Sequence, residues 1–189
     1  MEAIYDLFSG LEFMAYAMDD EALFHRIHSL DDLPSRVKFP IGRSEPISFS
    51  PSFGDAPKQP TKHGDYHRFY GSLRLFSERA VSELDLVSLG HLVPALLNDR
   101  SEKFYWFWSS VVVDCLDEDR TQWSGHLVKE PAFIADRVGD AKMFTLPRDQ
   151  GFQVNLWVVG DVWKERIKKA RLKGMCLRKS RYDPKPWKS

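Results

Sequence analysis

The chain has 189 residues, 43% of them apolar and 29% charged, and its 27 basic and 27 acidic side chains cancel to zero net charge. A chain of this size and composition buries about 70% of the surface it exposes when unfolded. Disorder and general nucleic-acid binding are therefore excluded as descriptions of the whole. No run approaches the ~18 uninterrupted apolar residues of a membrane span. The N-terminal MEAIYDLFSGLEF also lacks the basic and long apolar regions of a secretory signal. The reading is one cytoplasmic domain over 1–189, with Cys115 and Cys176 as buried free thiols and not a disulfide framework.

In chain order, Ala3–Met18 is mostly apolar and reads as two strands around a turn at Ser9-Gly10, or as partly helical. Glu21–Ile27 has short helical character. The stretch 33–63 holds six prolines, with Phe39, Ile41, Ile47, Phe49 and Phe53 spread among them. Proline fixes φ and removes a ladder donor, so this stretch reads as an extended, structured arm lying across the core. The main core is placed at 70–178. There, Leu73–Phe76 predicts a strand. Ser77 is an N-cap, Glu78 suits the helix dipole, and Ala80, Val81 and Leu84 form one apolar helix face.

HLVPALL predicts a second strand, with Pro94 arguing for an edge or a bulge. Phe104–Asp117, dense in aromatic and β-branched residues, predicts a long strand bent at Ser109-Ser110. Phe152–Val159 alternates as a strand. Asp161 is the N-cap expected for the next helix, on which Trp163, Ile167 and Ala170 share a face. Gly174 is its expected C′ residue, and MCLR is a last strand. The tail, 180–189, reads as loose and basic. The fold class that follows is α+β, a mixed or largely antiparallel sheet with short helices packed on it and a long Pro-rich arm.

Chemistry is sparse. His25 and His28 stand at i, i+3 and His63 and His67 at i, i+4, but neither pair has the HExxH form and no Cys lies at ligand spacing. No metal or cofactor is expected. There is no GxSxG elbow, Walker loop or GxGxxG. The acidic group Asp114, Asp117, Glu118 and Asp119 reads as a solvated strand end with Arg120 as local counter-charge. From Asp161 to the end, seven Lys and four Arg face three acids, a basic helix and tail suited to an acidic partner.

The aromatic run of Tyr105, Trp106, Phe107 and Trp108 is the most unusual feature. Phe104, Trp106 and Trp108 point one way in a strand, Tyr105 and Phe107 the other. Either one face shows rings to a partner, or both are buried, one against helices and one under the arm. Its flanks are not basic enough for single-stranded nucleic acid.

Four segments carry a family resemblance: the Pro-rich arm ending in His63–Tyr66, then LRLFSERAVSEL, then YWFWSSVVVDCLD, then MFTLP followed by VNLWVVGDVWKERIKKARLKGMCL. In this order, over 33–178, they resemble a bacterial family of immunity proteins encoded beside polymorphic toxins, filed as immunity protein eleven or as a domain of unknown function. Gly160-Asp161 departs from the family's Ser-type cap. The resemblance implies a non-enzymatic cytoplasmic protein that binds and neutralises a cognate toxin from an adjacent gene. It implies no catalytic residues to carry over.

The expected contact residues are Tyr105, Trp106, Phe107 and Trp108, the acidic turn Asp117, Glu118 and Asp119, and Lys164, Lys168 and Arg171 of the basic helix. No nucleic acid or membrane is expected as a partner. Two other readings stand beside this one. The first is a hydrolase-like enzyme using 114–119 and a loop histidine, His63 or His67. The second is a homodimeric structural or regulatory protein.

Overall fold

The structure, a computed structural model, describes residues 2–9, 15–22, 45–52, 62–69, 73–124, 127–147 and 156–180. His25, His28, most of the arm, Phe152–Asn155 and the tail lie outside these residues. Alternating apolar residues build the strands. β1 (Ile4–Ser9), β10 (Met143–Phe144), β11 (Leu156–Val159) and β12 (Met175–Lys179) form an antiparallel sheet in the order β10-β11-β1-β12.

A second sheet contains β2 (Ala15–Met18), β3 (Ile47–Ser52), β4 (Tyr66–Phe69), β5 (Leu73–Ser77), β6 (Gly90–Leu97) and β7 (Phe104–Ser109). Its order is β2-β3-β6-β7-β5-β4, and β3–β6 is its parallel pair. β8 (Gln122–Ser124) and β9 (Leu127–Glu130) form a hairpin. The helices are α1 (Glu78–Leu84), α2 (Ala135–Val138) and α3 (Val162–Lys169). The class is α+β with mostly antiparallel sheets, as expected from the sequence.

The six-stranded sheet curls until its outer strands β2 and β4 lie against each other. Tyr16 of β2 meets His67 of β4 edge to face, ring centres 4.8 Å apart. The curl encloses a core that includes Tyr16, Phe49, Leu97, Phe104 and Trp106. The opposite parity of β7 faces outward. Phe107 and half-buried Tyr105 pack there in a second core with α1, α3 and one face of the four-stranded sheet. The other face of that sheet carries Ile4 and Trp157. It is covered by residues 111–116 and 132–141, whose Phe133 lies 5.0 Å from Trp157 and 5.9 Å from Phe144 of β10.

The same split plan occurs in each main sheet. β5 and β6, joined through α1, both run antiparallel to β7, which lies between them, so they are parallel to each other. β11 and β12, joined through α3, are likewise parallel and separated by β1. The two helices pack together and exchange arginines. Arg79 of α1 donates to the carbonyls of Ala170 (3.1 Å) and Arg171 (3.4 Å) beyond the end of α3, and Arg166 of α3 donates to the Leu84 carbonyl at the end of α1 (3.4 Å). Each cation thus satisfies carbonyls that a helix end leaves open, at the negative end of the dipole.

Local signals fared unevenly. Ser77 caps α1 as expected, its Oγ accepting the Ala80 N–H at 3.1 Å, and Ala80, Val81 and Leu84 are buried. Asp161 holds the equivalent position before α3 but makes no side-chain cap. Its backbone is helical, and its carboxylate instead accepts from Tyr5 Oη. Gly174 is not C′ of α3 either. Arg171 adopts φ 51°, with its N–H on the Lys168 carbonyl and the Leu172 N–H on the Ile167 carbonyl, each at 3.0 Å, which is a Schellman ending. Gly174, at φ 84°, serves the following turn into β12.

Longer-range expectations needed more revision. Pro94 does not mark an edge strand. β6 lies between β3 and β7, but β3 joins only from Ala95 onward, so at Pro94 no described strand lies on that side. Part of the Pro-rich arm is an inner strand, β3. The two N-terminal strands belong to different sheets, so β1 to β4 are core elements that lie outside the expected 70–178. The aromatic strand stops at Ser109. Beyond it only isolated bridges remain, Val112 with Thr145 and Leu116 with Phe133, as the chain crosses to the far face of the four-stranded sheet.

Candidate functional site

The expected contact residues do not form one patch. Trp106 and Phe107 are each 1% exposed, in different cores, and so cannot meet a partner in this fold. This corrects their place among the contact residues: the curl and the helices between them cover both faces of β7. Tyr105 and Trp108 are half-buried. Tyr105 Oη donates to Glu78 Oε1 at 3.4 Å. Among the described residues, the aromatic ring that is largely exposed lies elsewhere, at Trp123 of β8, 40% exposed. No alternation marked it in the sequence, because β8 is only three residues long.

The acidic turn sits behind the four-stranded sheet. Asp117 organises it: Oδ1 accepts the Arg120 N–H at 3.2 Å, its carbonyl accepts from Thr121 at 2.9 Å, and Oδ2 lies 3.8 Å from the Arg120 guanidinium. Glu118 and Asp119 are exposed. His67, a loop histidine in the hydrolase reading, is instead a strand residue buried between Tyr16 and Phe104. His63 is exposed at the mouth of a cleft of about 610 Å³ whose lining includes none of 114–119.

Most of the charges lining that cleft are paired with one another. Asp65, nearly buried, accepts from Ser77 Oγ (2.8 Å), the Lys173 N–H (2.8 Å), and Arg79 through Nε (3.1 Å) and Nη2 (2.6 Å). Burial pushes its carboxyl up. The bonds from Arg79, Lys173 and Ser77 outweigh that and hold it below the usual carboxylate range. Arg100 is clamped by Glu102 at 2.5 and 3.0 Å and lies over Phe104. Lys103 faces Glu78 at 3.5 Å. Beside the cleft, Tyr16 Oη donates to Asp99 at 3.2 Å and lies 3.3 Å from His63 Nδ1. Burial and then Asp99 raise the phenol's pKa, which keeps it a donor. Asp65 therefore acts as a structural junction between β4, α1 and the turn after α3.

A second concavity is a groove of about 460 Å³ between α3 and β12. Ile167, Leu172, Met175 and Leu177 form its floor, and Lys164, Lys168 and Arg171 its rim. Lys164 is anchored, donating to Tyr5 Oη at 2.8 Å and lying 3.1 Å from Asp161. Lys168 and Arg171 are exposed and have no ion-pair partner among the described residues. The three basic residues expected from the sequence thus come together. The apolar floor was half legible: Ile167 from helical spacing, Met175 and Leu177 only once β12 is known to be an edge strand.

Among the described residues no group of three His, Cys, Asp or Glu side chains is placed to hold a metal ion, and no helix is long and apolar enough to cross a membrane. Neither Cys115 nor Cys176 is in a disulfide. Burial, then the charge of Asp114, pushes the Cys115 thiol up to about 12, so it is un-ionised near neutrality. No protein-family model matches the chain, and no curated protein matches it.

Proposed function

We propose that this chain is an immunity-type binding protein that neutralises a cognate bacterial toxin, encoded by an adjacent gene, through protein–protein contact in the cytoplasm. The observation that carries this reading is the α3–β12 groove, where a half-buried apolar floor is rimmed by Lys168 and Arg171, which have no ion-pair partner among the described residues, while most charges of the larger cleft are paired with one another. A cationic rim around apolar side chains suits a protein partner of opposite charge, since the rim speeds encounter and the floor supplies burial. The order of motifs shared with the immunity family supports the same reading. Glu118 and Asp119, on the far side of the four-stranded sheet, offer a second contact of opposite sign.

The test is co-expression with the neighbouring gene product. Protection of cells from that protein, together with its co-purification at a stable stoichiometry, is the expected result. Absence of both overturns the reading. Light scattering on the isolated chain separates it from the homodimer alternative.

A further inference from the structure

β12 ends the four-stranded sheet. Among the described strands it pairs with β1 alone, so its other backbone edge has no strand beside it. An unpaired edge is a template for another extended segment, and folds usually blunt it or use it. Here the apolar floor lies next to that edge. Met175 and Leu177 of β12 are half-buried and continue the second core outward, together with Ile167 of α3 and Leu172 of its ending. Every charged residue lining the groove is basic.

From these three observations we infer that β12 is a docking edge. An acidic, amphipathic segment of a partner protein adds as a fifth strand, its apolar side chains on Ile167, Leu172, Met175 and Leu177 and its carboxylates against Lys168 and Arg171. Main-chain hydrogen bonds would give affinity, and the alternate side chains specificity. The inference rests on the proposal that the chain works by binding a protein, and names the surface and the partner chemistry. A second copy of this chain fits poorly, because two such grooves would bring like charges together. A nucleic acid would satisfy the rim but leave the apolar floor unused.

The experiment uses the full chain and a fluorescein-labelled peptide of roughly ten residues, about the length of a long strand, with Val and Glu together on one face of the strand and Thr on the other, read by anisotropy. Saturable binding is expected, weakened at least about tenfold by the double variant K168E/R171E and weakened as salt rises from about 0.05 to about 0.5 M. The same peptide N-methylated at alternate amides keeps its side chains but cannot pair as a strand, and is expected not to bind.

Circular dichroism and a thermal melt establish that the double variant is folded. Any one of four results overturns the inference: no binding of the peptide, equal binding by the folded double variant, equal binding of the N-methylated peptide, or displacement by a single-stranded oligonucleotide at lower concentration than by unlabelled peptide. The two proposals fail separately. If K168E/R171E still protects cells from the neighbouring toxin as well as the wild type does, the docking edge is wrong and the immunity reading stands. If the wild type gives no protection while the peptide binds as described, the edge stands and the immunity reading falls.

Discussion

In both helical units a parallel pair of strands, joined through a helix, is split by an antiparallel strand: β7 between β5 and β6, β1 between β11 and β12. The surroundings differ. β5 and β6 have further neighbours, β4 and β3, and their sheet curls until its outer strands meet. β12 has none beyond β1 among the described strands. The α1 unit is closed around, with a side-chain cap, the Asp65 junction and rings on both faces of its middle strand. The α3 unit has no side-chain cap and ends in a cationic groove. One arrangement of strands and helix thus serves as scaffold where its edges are filled and as a surface where one edge is left open.

The contrast can be broken most forcefully inside the curl. Trp106→Ala removes a ring that is 1% exposed and is expected to cost about 3–5 kcal/mol in urea unfolding. Asp65→Ala comes next. It strands the Ser77 hydroxyl, the Lys173 N–H and the Arg79 fork, for about 1–3 kcal/mol.

The same carboxylate sets a pH signature. Its folded pKa lies below the ordinary value near ~4, so its stabilisation is fully present above that value. It is lost as pH falls through the lower, folded pKa. Asp65→Asn should flatten the acid limb of stability against pH, and an unchanged limb would show that other carboxylates govern it.

Smaller again is Ser77→Ala, about 1 kcal/mol for a lost cap. Asp161→Ala should cost less, because that side chain caps nothing; equal losses would erase the distinction drawn between the two helices. K168E/R171E should lower the unfolding midpoint only slightly, since both side chains are exposed but the new carboxylates stand at the negative end of the α3 dipole. Finally, a thiol reagent at mildly alkaline pH should label half-buried Cys176 well before Cys115.

What was legible in the sequence was local. Ser77-Glu78 before an apolar helical face fixed α1, and the spacing of Trp163, Ile167 and Ala170 fixed the inner face of α3, because caps and helical periodicity involve residues a few positions apart. Pairings between distant segments were not legible. Nothing near Ile47 announces a parallel partner at Ala95, so a proline-rich stretch read as irregular. Without the curl, the rings of β7 read as equally suited to a core or to a partner. Arg171 was missed as a helix ending because a left-handed non-glycine residue carries no compositional mark. The basic rim was legible because charge counts survive any folding, while its apolar floor needed the position of β12 in the sheet.

The place of β1 has a consequence for biogenesis. It is the first of these strands to leave the ribosome, yet both its neighbours, β11 and β12, are among the last: Leu7 pairs with Leu156 on one side and Leu177 on the other. Its two edges must therefore wait, unpaired, until the residues through Lys179 have been translated. Such long-range closure slows folding. It also makes completion of the second sheet and assembly of the α3–β12 groove one late event, so a half-made chain has no docking edge to offer.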